Sequence, residues 1–213
     1  MTKPWIKICG VTRTEDTDAA VRSGADALGA NFYPPSPRFL TQARLAEVFA
    51  QVPGCVKRVA LFVNPTRAEV ESILASGYID WLQFHGDETS IFCESFGYPY
   101  IKALRVGEYE NLAQRADEFN EAELVLLDAF DKKAPGGTGK VFDWKAIETL
   151  SDSVREKLLL AGGLTPENIG SAVAEVNPFG VDVSSGVERS PGIKDHAKIK
   201  AFIEGAMNGN NRN

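Results

Sequence analysis

Five side chains able to move protons or hold charge stand just after short apolar runs. Cys9 closes WIKICGV, Arg38 follows the second run in YPPSPRF, Gln83 and His85 lie in QFHG, and Asp128 ends ELVLLDA. A thiol and a carboxyl in one pocket can give and take protons on two sides of a bound molecule, while a guanidinium fixes a carboxylate or phosphate. Taken singly, each has a plainer reading: Cys9 as small apolar filler, Asp128 as a helix cap or loop anchor, His85 as a partner of backbone groups, Arg38 as a solvated charge. Their common position relative to the apolar runs makes them a set.

Three glycine-bearing segments, PGGTGK, AGGLTPENI and SSGVE, follow the last three apolar runs. The backbone N–H groups of Gly162, Gly163 and Gly186, with the Ser184 and Ser185 hydroxyls, suit an anion held without lysine, which implies a phosphate-bearing ligand. PGGTGK is not a nucleotide-hydrolysing loop, because Ala134 stands where its first glycine belongs and Val141 follows the lysine in place of Ser or Thr.

The elements that must position these groups are legible as two alternating patterns. Eight apolar, β-branched runs recur: WIKICGV, ADALGANFY, VKRVALFVN, YIDWLQFHG, YIKALRVG, ELVLLDA, EKLLLAGGL and FGVDVSS. Between them lie helical periodicities such as TRTEDTDAAVRSG, TQARLAEVFAQV, TRAEVESILASG, ENLAQRADEFNEA, DWKAIETLS, TPENIGSAVAEV and KDHAKIKAFIEGAM, with a further short helix over Glu88 to Phe96. Strands alternating with helices make parallel sheet covered on both faces. Eight units, with polar and glycine residues gathered after many of the strands, predict a single-domain (β/α)8 TIM barrel over residues 1–205, followed by a frayed tail over 206–213. An open doubly wound sheet would instead concentrate such residues at one switch point. In a barrel all the candidate side chains converge on one mouth.

Bulk properties exclude several classes. The 29 acidic and 23 basic residues give a net charge of −6 with no dense basic block, which argues against a nucleic-acid partner. No apolar run is long enough to cross a bilayer, and MTKPWIKICG lacks the features of a secretory or transit leader, so no membrane is expected and the cytoplasm is the expected compartment. Cys9, Cys55 and Cys93 are widely spaced and only His85 and His196 could join them, so neither structural zinc nor a disulfide framework is expected. Cys55 and Cys93 read as small packing residues.

KICG, the SPR of YPPSPRF, QFHG, LLDA, GGTGKVFDW, LAGGLTPENI and GVDVSSGVE followed by PGIKD resemble, in order and spacing, the motif set of the phosphoribosylanthranilate isomerases of tryptophan biosynthesis. The resemblance spans nearly the whole chain, and Phe84 where leucine is usual alters nothing chemical. It implies an Amadori rearrangement of a phosphoribosyl anthranilate by acid and base alone, without cofactor or metal. By the same resemblance Asp128 is the acid, Cys9 the base, Arg38 the contact for the anthranilate carboxylate, and the seventh- and eighth-loop glycines and serines the phosphate site. The working unit is taken as a monomer without an obligate protein partner.

Those roles set an electrostatic problem. Free thiols and aspartate carboxyls ionise near about 8.5 and 3.9, so a Cys9 thiolate beside a protonated Asp128 is disfavoured by roughly 6 kcal/mol. A cation near Cys9 would oppose that preference. The swapped assignment, with Asp128 as base and Cys9 as acid, begins from the easier protonation state and stays open. The histidine-pathway isomerase, which pairs two aspartates, is the nearest rival, and Cys9 argues against it. A non-catalytic phosphate sensor would keep the glycine loops but would not need Cys9 opposite Asp128.

Overall fold

The computed structural model describes residues 3–109, 111–128 and 145–209. Eight parallel strands, β1 (Trp5–Cys9), β2 (Ala27–Asn31), β3 (Lys57–Phe62), β4 (Trp81–Phe84), β5 (Tyr100–Arg105), β6 (Leu124–Asp128), β7 (Leu158–Ala161) and β8 (Gly180–Val183), pair in sequence order and close through β1 and β8. The eight apolar runs are these strands. Closure leaves the barrel no free edge. A two-stranded antiparallel ribbon of β9 (Glu188–Ser190) and β10 (Ile193–Lys194) follows β8.

Helices α1 (Thr14–Ser23), α2 (Gln42–Phe49), α3 (Arg67–Leu74), α4 (Ser90–Glu94), α5 (Leu112–Asp117), α6 (Lys145–Glu148), α7 (Asp152–Arg155), α8 (Ile169–Val176) and α9 (His196–Gly209) separate or follow the strands. The short helix expected over Glu88 to Phe96 is α4, begun by Thr89, whose hydroxyl accepts from the Phe92 N–H, and stopped before Gly97 in the left-handed region. Two helices stand between β6 and β7 where one was expected. Ser151, with extended dihedrals, breaks the periodicity and precedes α7. Helix α9 continues through Gly209 with Ala206 buried, past the boundary drawn at 205. PGGTGK, GGTGKVFDW and residues 210–213 lie outside the described residues.

Alternation along each strand sorts side chains into two cores. Ile6, Ile8, Leu28, Leu82, Phe84, Val125 and Leu127 face the helices, whereas Ala27, Val59, Ile101, Ala103, Leu124, Leu126, Leu159 and Ala161 fill the barrel interior over the stacked rings of Trp5 and Trp81. Period two therefore places Lys7 and Cys9 inside with Trp5, and Asp128 inside with Leu124 and Leu126. It also explains QFHG. Phe84 turns outward to meet Phe62, Phe92, Phe96 and Tyr100, which leaves Gln83 and His85 on the interior side. Among the described residues no helix is long and apolar enough to cross a membrane.

Candidate active site

Cys9 ends β1, Asp128 ends β6, and both lie on the inward face at the C-terminal rim. Going round the barrel through its closure, only β8 and β7 separate their strands. The thiol and carboxyl thus stand on well-separated parts of one rim, where (β/α)8 barrels carry their chemistry.

Asp128 has an imidazole beside it, with His85 Nε2 lying 3.3 Å from its Oδ2. Behind the ring, Gln83 is fully buried and its Nε2 lies 3.4 Å from His85 Nδ1, while its Oε1 has no partner among the described residues. The amide orientation fixes the ring's tautomer. If Gln83 donates to Nδ1, Nε2–H points at an Asp128 carboxylate. If the amide is turned over, its oxygen accepts Nδ1–H and Nε2 is free to accept from a protonated Asp128.

Cys9 is 5% exposed and is followed by Gly10 at φ +74°, where a Cβ would fall 2.6 Å from Arg38 Cδ and 3.1 Å from Ser184 Oγ. Only glycine lets the chain leave β1 there, and the same crowding shows that Arg38 and Ser184 reach the rim next to Cys9. Arg38 is oriented by Glu188, its Nε and Nη2 donating to the two carboxylate oxygens at 2.8 and 2.7 Å. That fork uses one edge of the guanidinium and leaves further donors for a ligand. Lys194 completes the support, its Nζ donating to Cys9 O at 2.5 Å, Ser184 O at 3.0 Å and Glu188 Oε1 at 3.0 Å. Burial pushes the Glu188 carboxyl up, but Arg38 and Lys194 outweigh that and hold it below the usual carboxylate range.

The anion-binding candidates come together from β7 and β8. Gly162 and Gly163 follow β7 with φ +86° and +65°, and Asn168 Nδ2 donates to Gly163 O at 2.9 Å. After β8, Ser184 leads into a 3-10 turn over Ser185–Val187. A Cβ on Gly186 would run into the Leu164 carbonyl, so the two loops touch backbone to backbone there. All the sequence-derived candidates therefore stand on strand ends or the loops that follow them, with Cys9, Arg38 and Ser184 in one cluster and Gln83, His85 and Asp128 in another.

Four charged residues of this site were not among the sequence-derived candidates: Lys7, Asp182, Glu188 and Lys194. Lys7 and Asp182 form an ion pair of 2.8 Å inside the barrel. Their signal was present in WIKIC and GVDVSS, since each is a charge within an apolar strand, two residues before a rim residue. Among the described residues no group of three or more His, Cys, Asp or Glu could hold a metal ion.

Residues 6–205 match the family model described as N-(5'-phosphoribosyl)anthranilate (PRA) isomerase. The chain belongs to that family. Among curated members, the enzyme of Pseudomonas fluorescens strain Pf0-1 is 52% identical over 197 residues, which cover 92% of this chain and 95% of the relative. That of Azotobacter vinelandii is 48% identical, covering 95% and 97%. The crystal structure of phosphoribosyl anthranilate isomerase from Thermotoga maritima superposes with a TM-score of 0.86 at 39% identity, covering 95% of this chain and 98% of that one. A family structure in complex with reduced 1-(o-carboxyphenylamino)-1-deoxyribulose 5-phosphate gives a TM-score of 0.83 at 37% identity, again covering 95% and 98%. The fold and family implied by the motif resemblance are thereby established, and the chain is an isomerase of tryptophan biosynthesis.

Proposed function

We propose that the barrel converts N-(5'-phosphoribosyl)anthranilate to 1-(o-carboxyphenylamino)-1-deoxyribulose 5-phosphate with Asp128 as general acid and Cys9 as general base. Asp128 protonates the ribose ring oxygen as the anilino nitrogen's electron pair expels it from C1, giving a cationic imine. The Cys9 thiolate then removes the C2 proton, and the C–H electron pair neutralises the nitrogen. The resulting enolamine becomes the ketone by proton transfer. Protons taken up and released balance, so the step needs only acid and base. Arg38 holds the anthranilate carboxylate; Gly162, Gly163, Ser184, Ser185 and Gly186 hold the phosphate; Gln83 and His85 hold Asp128 in its two protonation states through the two tautomers. The reading takes the working unit as a monomer in the cytoplasm.

The observation that carries it is the inward placement of Cys9 and Asp128 on one closed rim. Purified protein mixed with the fluorescent anthranilate substrate should consume it, and Cys9→Ala and Asp128→Asn should each lower kcat by about 100- to 10,000-fold with little change in KM. Near-normal turnover in either variant would remove that residue from the chemistry.

One observation favours the swapped roles. Burial pushes the Cys9 thiol up, against the opposing charges of Lys7 and Lys194, which makes its proton harder to remove. The two readings share one pH profile, because each active form carries a single proton on the pair. They separate with substrate deuterated at C2: Cys9→Ala should show a larger isotope effect on kcat/KM than Asp128→Asn if Cys9 is the base, and a smaller one if it is the acid.

A further inference from the structure

Lys7 is fully buried on the same inward face as Cys9, two residues below it, and its ammonium is paired with Asp182 of β8. A buried pair of this kind is weak evidence of a structural purpose, because apolar side chains of similar volume stabilise an interior as well or better. Its location suggests another purpose. Gly29, which pairs with Cys9 across β1 and β2, carries no side chain where one would lie 2.9 Å from Cys9 Sγ and 3.2 Å from Lys7 Nζ. The neighbouring strand therefore raises no wall between ammonium and sulfur, which border the same side-chain-free space.

The charged groups facing Cys9 among the described residues are Lys7 from β1, Asp182 from β8, Lys194 from β10 and Arg38 from the segment after β2. With Glu188, which pairs with both Arg38 and Lys194, they make three cations and two carboxylates. A thiolate at Cys9 would complete the balance; a thiol leaves one positive charge unanswered.

We infer that Lys7, held by Asp182, is a positioning residue that keeps a positive charge beneath the Cys9 sulfur and so sustains the thiolate that takes the C2 proton. The inference rests on Cys9 acting as the base. It answers the electrostatic difficulty set by the thiol and carboxyl, because a nearby ammonium is the kind of neighbour that favours a thiolate. Since burial already opposes ionisation of Cys9, removing Lys7 leaves that opposition weaker answered.

The test is the pH dependence of iodoacetamide alkylation at Cys9, read by mass spectrometry of the Cys9 peptide, alongside turnover. It is applied to the wild type, Lys7→Met, Lys7→Arg and the double variant Lys7→Met/Asp182→Asn. In Lys7→Met the alkylation midpoint should move up by a unit or more, which is about tenfold less thiolate at neutral pH. In the double variant it should move up by less, because the carboxylate of Asp182, which itself raises the thiol, is lost as well. kcat should fall in step, KM should stay near the wild-type value, and Lys7→Arg should recover part of both. The double variant has no buried unpaired charge, so it carries the test if Lys7→Met alone does not fold. Wild-type midpoint and turnover in the double variant, with Cys9→Ala inactive, would show the pair to be structural and overturn the inference alone. Normal turnover in Cys9→Ala would overturn the assignment of the base and this inference with it.

Discussion

Arg38 meets the rim already oriented, because Glu188 fixes one edge of its guanidinium and Lys194 fixes Glu188. Such preorganisation lowers the side-chain entropy lost when a ligand carboxylate arrives. A net charge of −6 does not draw an anionic substrate in from a distance, so capture depends on donors at the mouth. Arg38→Ala should therefore raise KM by about 10- to 100-fold, the equivalent of a charge-assisted hydrogen bond, with a smaller effect on kcat. Unchanged saturation in initial-rate measurements would take Arg38 out of the binding site. Single residues of this kind were legible in the sequence because they follow apolar runs, where a barrel places its rim. Lys7 and Asp182 stood out as charges inside apolar strands, but their pairing was not legible, because the partners are 175 positions apart. Glu188 and Lys194 were hidden differently, lying in a short ribbon that no strand periodicity announces.

At the scale of elements, the loop leaving β4 shows how a rim side chain is held from behind. Lys102, fully buried on the outer face of β5, donates to Gly86 O and to Glu88 Oε2, each at 2.7 Å. Glu88 in turn accepts from the N–H groups of Asn64 and Gly86. This cluster fixes the turn immediately after His85. Lys102→Met would strand a buried carboxylate and should cost about 3–5 kcal/mol in urea unfolding at neutral pH. Adding Glu88→Leu should not restore wild-type stability, because the buried Gly86 N–H and the half-buried Asn64 N–H would then lose their acceptor. Full recovery in the double variant would mean that the backbone bonds contribute nothing. The strands themselves were readable as apolar runs because each is covered on both faces. The helices between β6 and β7 were less so: Ser151 interrupts one helical periodicity and starts another within a few residues, and a break of that kind is visible only in dihedral angles.

The whole molecule must hold its first and last turns together, since barrel closure pairs β1 with β8. Asp16 of α1 does this from a fully buried position, accepting from Arg13, from the Lys194 N–H at 3.2 Å and from His196 Nε2 at 2.9 Å at the start of α9. Burial alone would raise its pKa, but these bonds hold the Asp16 carboxyl below the usual range. Glu188 and Asp80 are depressed in the same sense, Asp80 by its fork with Arg58 against its own burial. The sign follows from linkage. A carboxyl whose folded pKa lies below its unfolded value contributes stability that is fully present above about pH 4 and disappears as pH falls through the folded value. Melting temperature should therefore change little from pH 7 to 5 and fall steeply from pH 4 toward 2. Asp16→Asn should melt lower than the wild type at pH 7, by the equivalent of about 1–3 kcal/mol, yet lose less on acidification, because the group that would have to protonate is gone. Calorimetry of both proteins at pH 7, 4 and 2.5 decides the matter: parallel curves would show that Asp16 keeps an ordinary pKa and that the joint between α1 and α9 is not electrostatic.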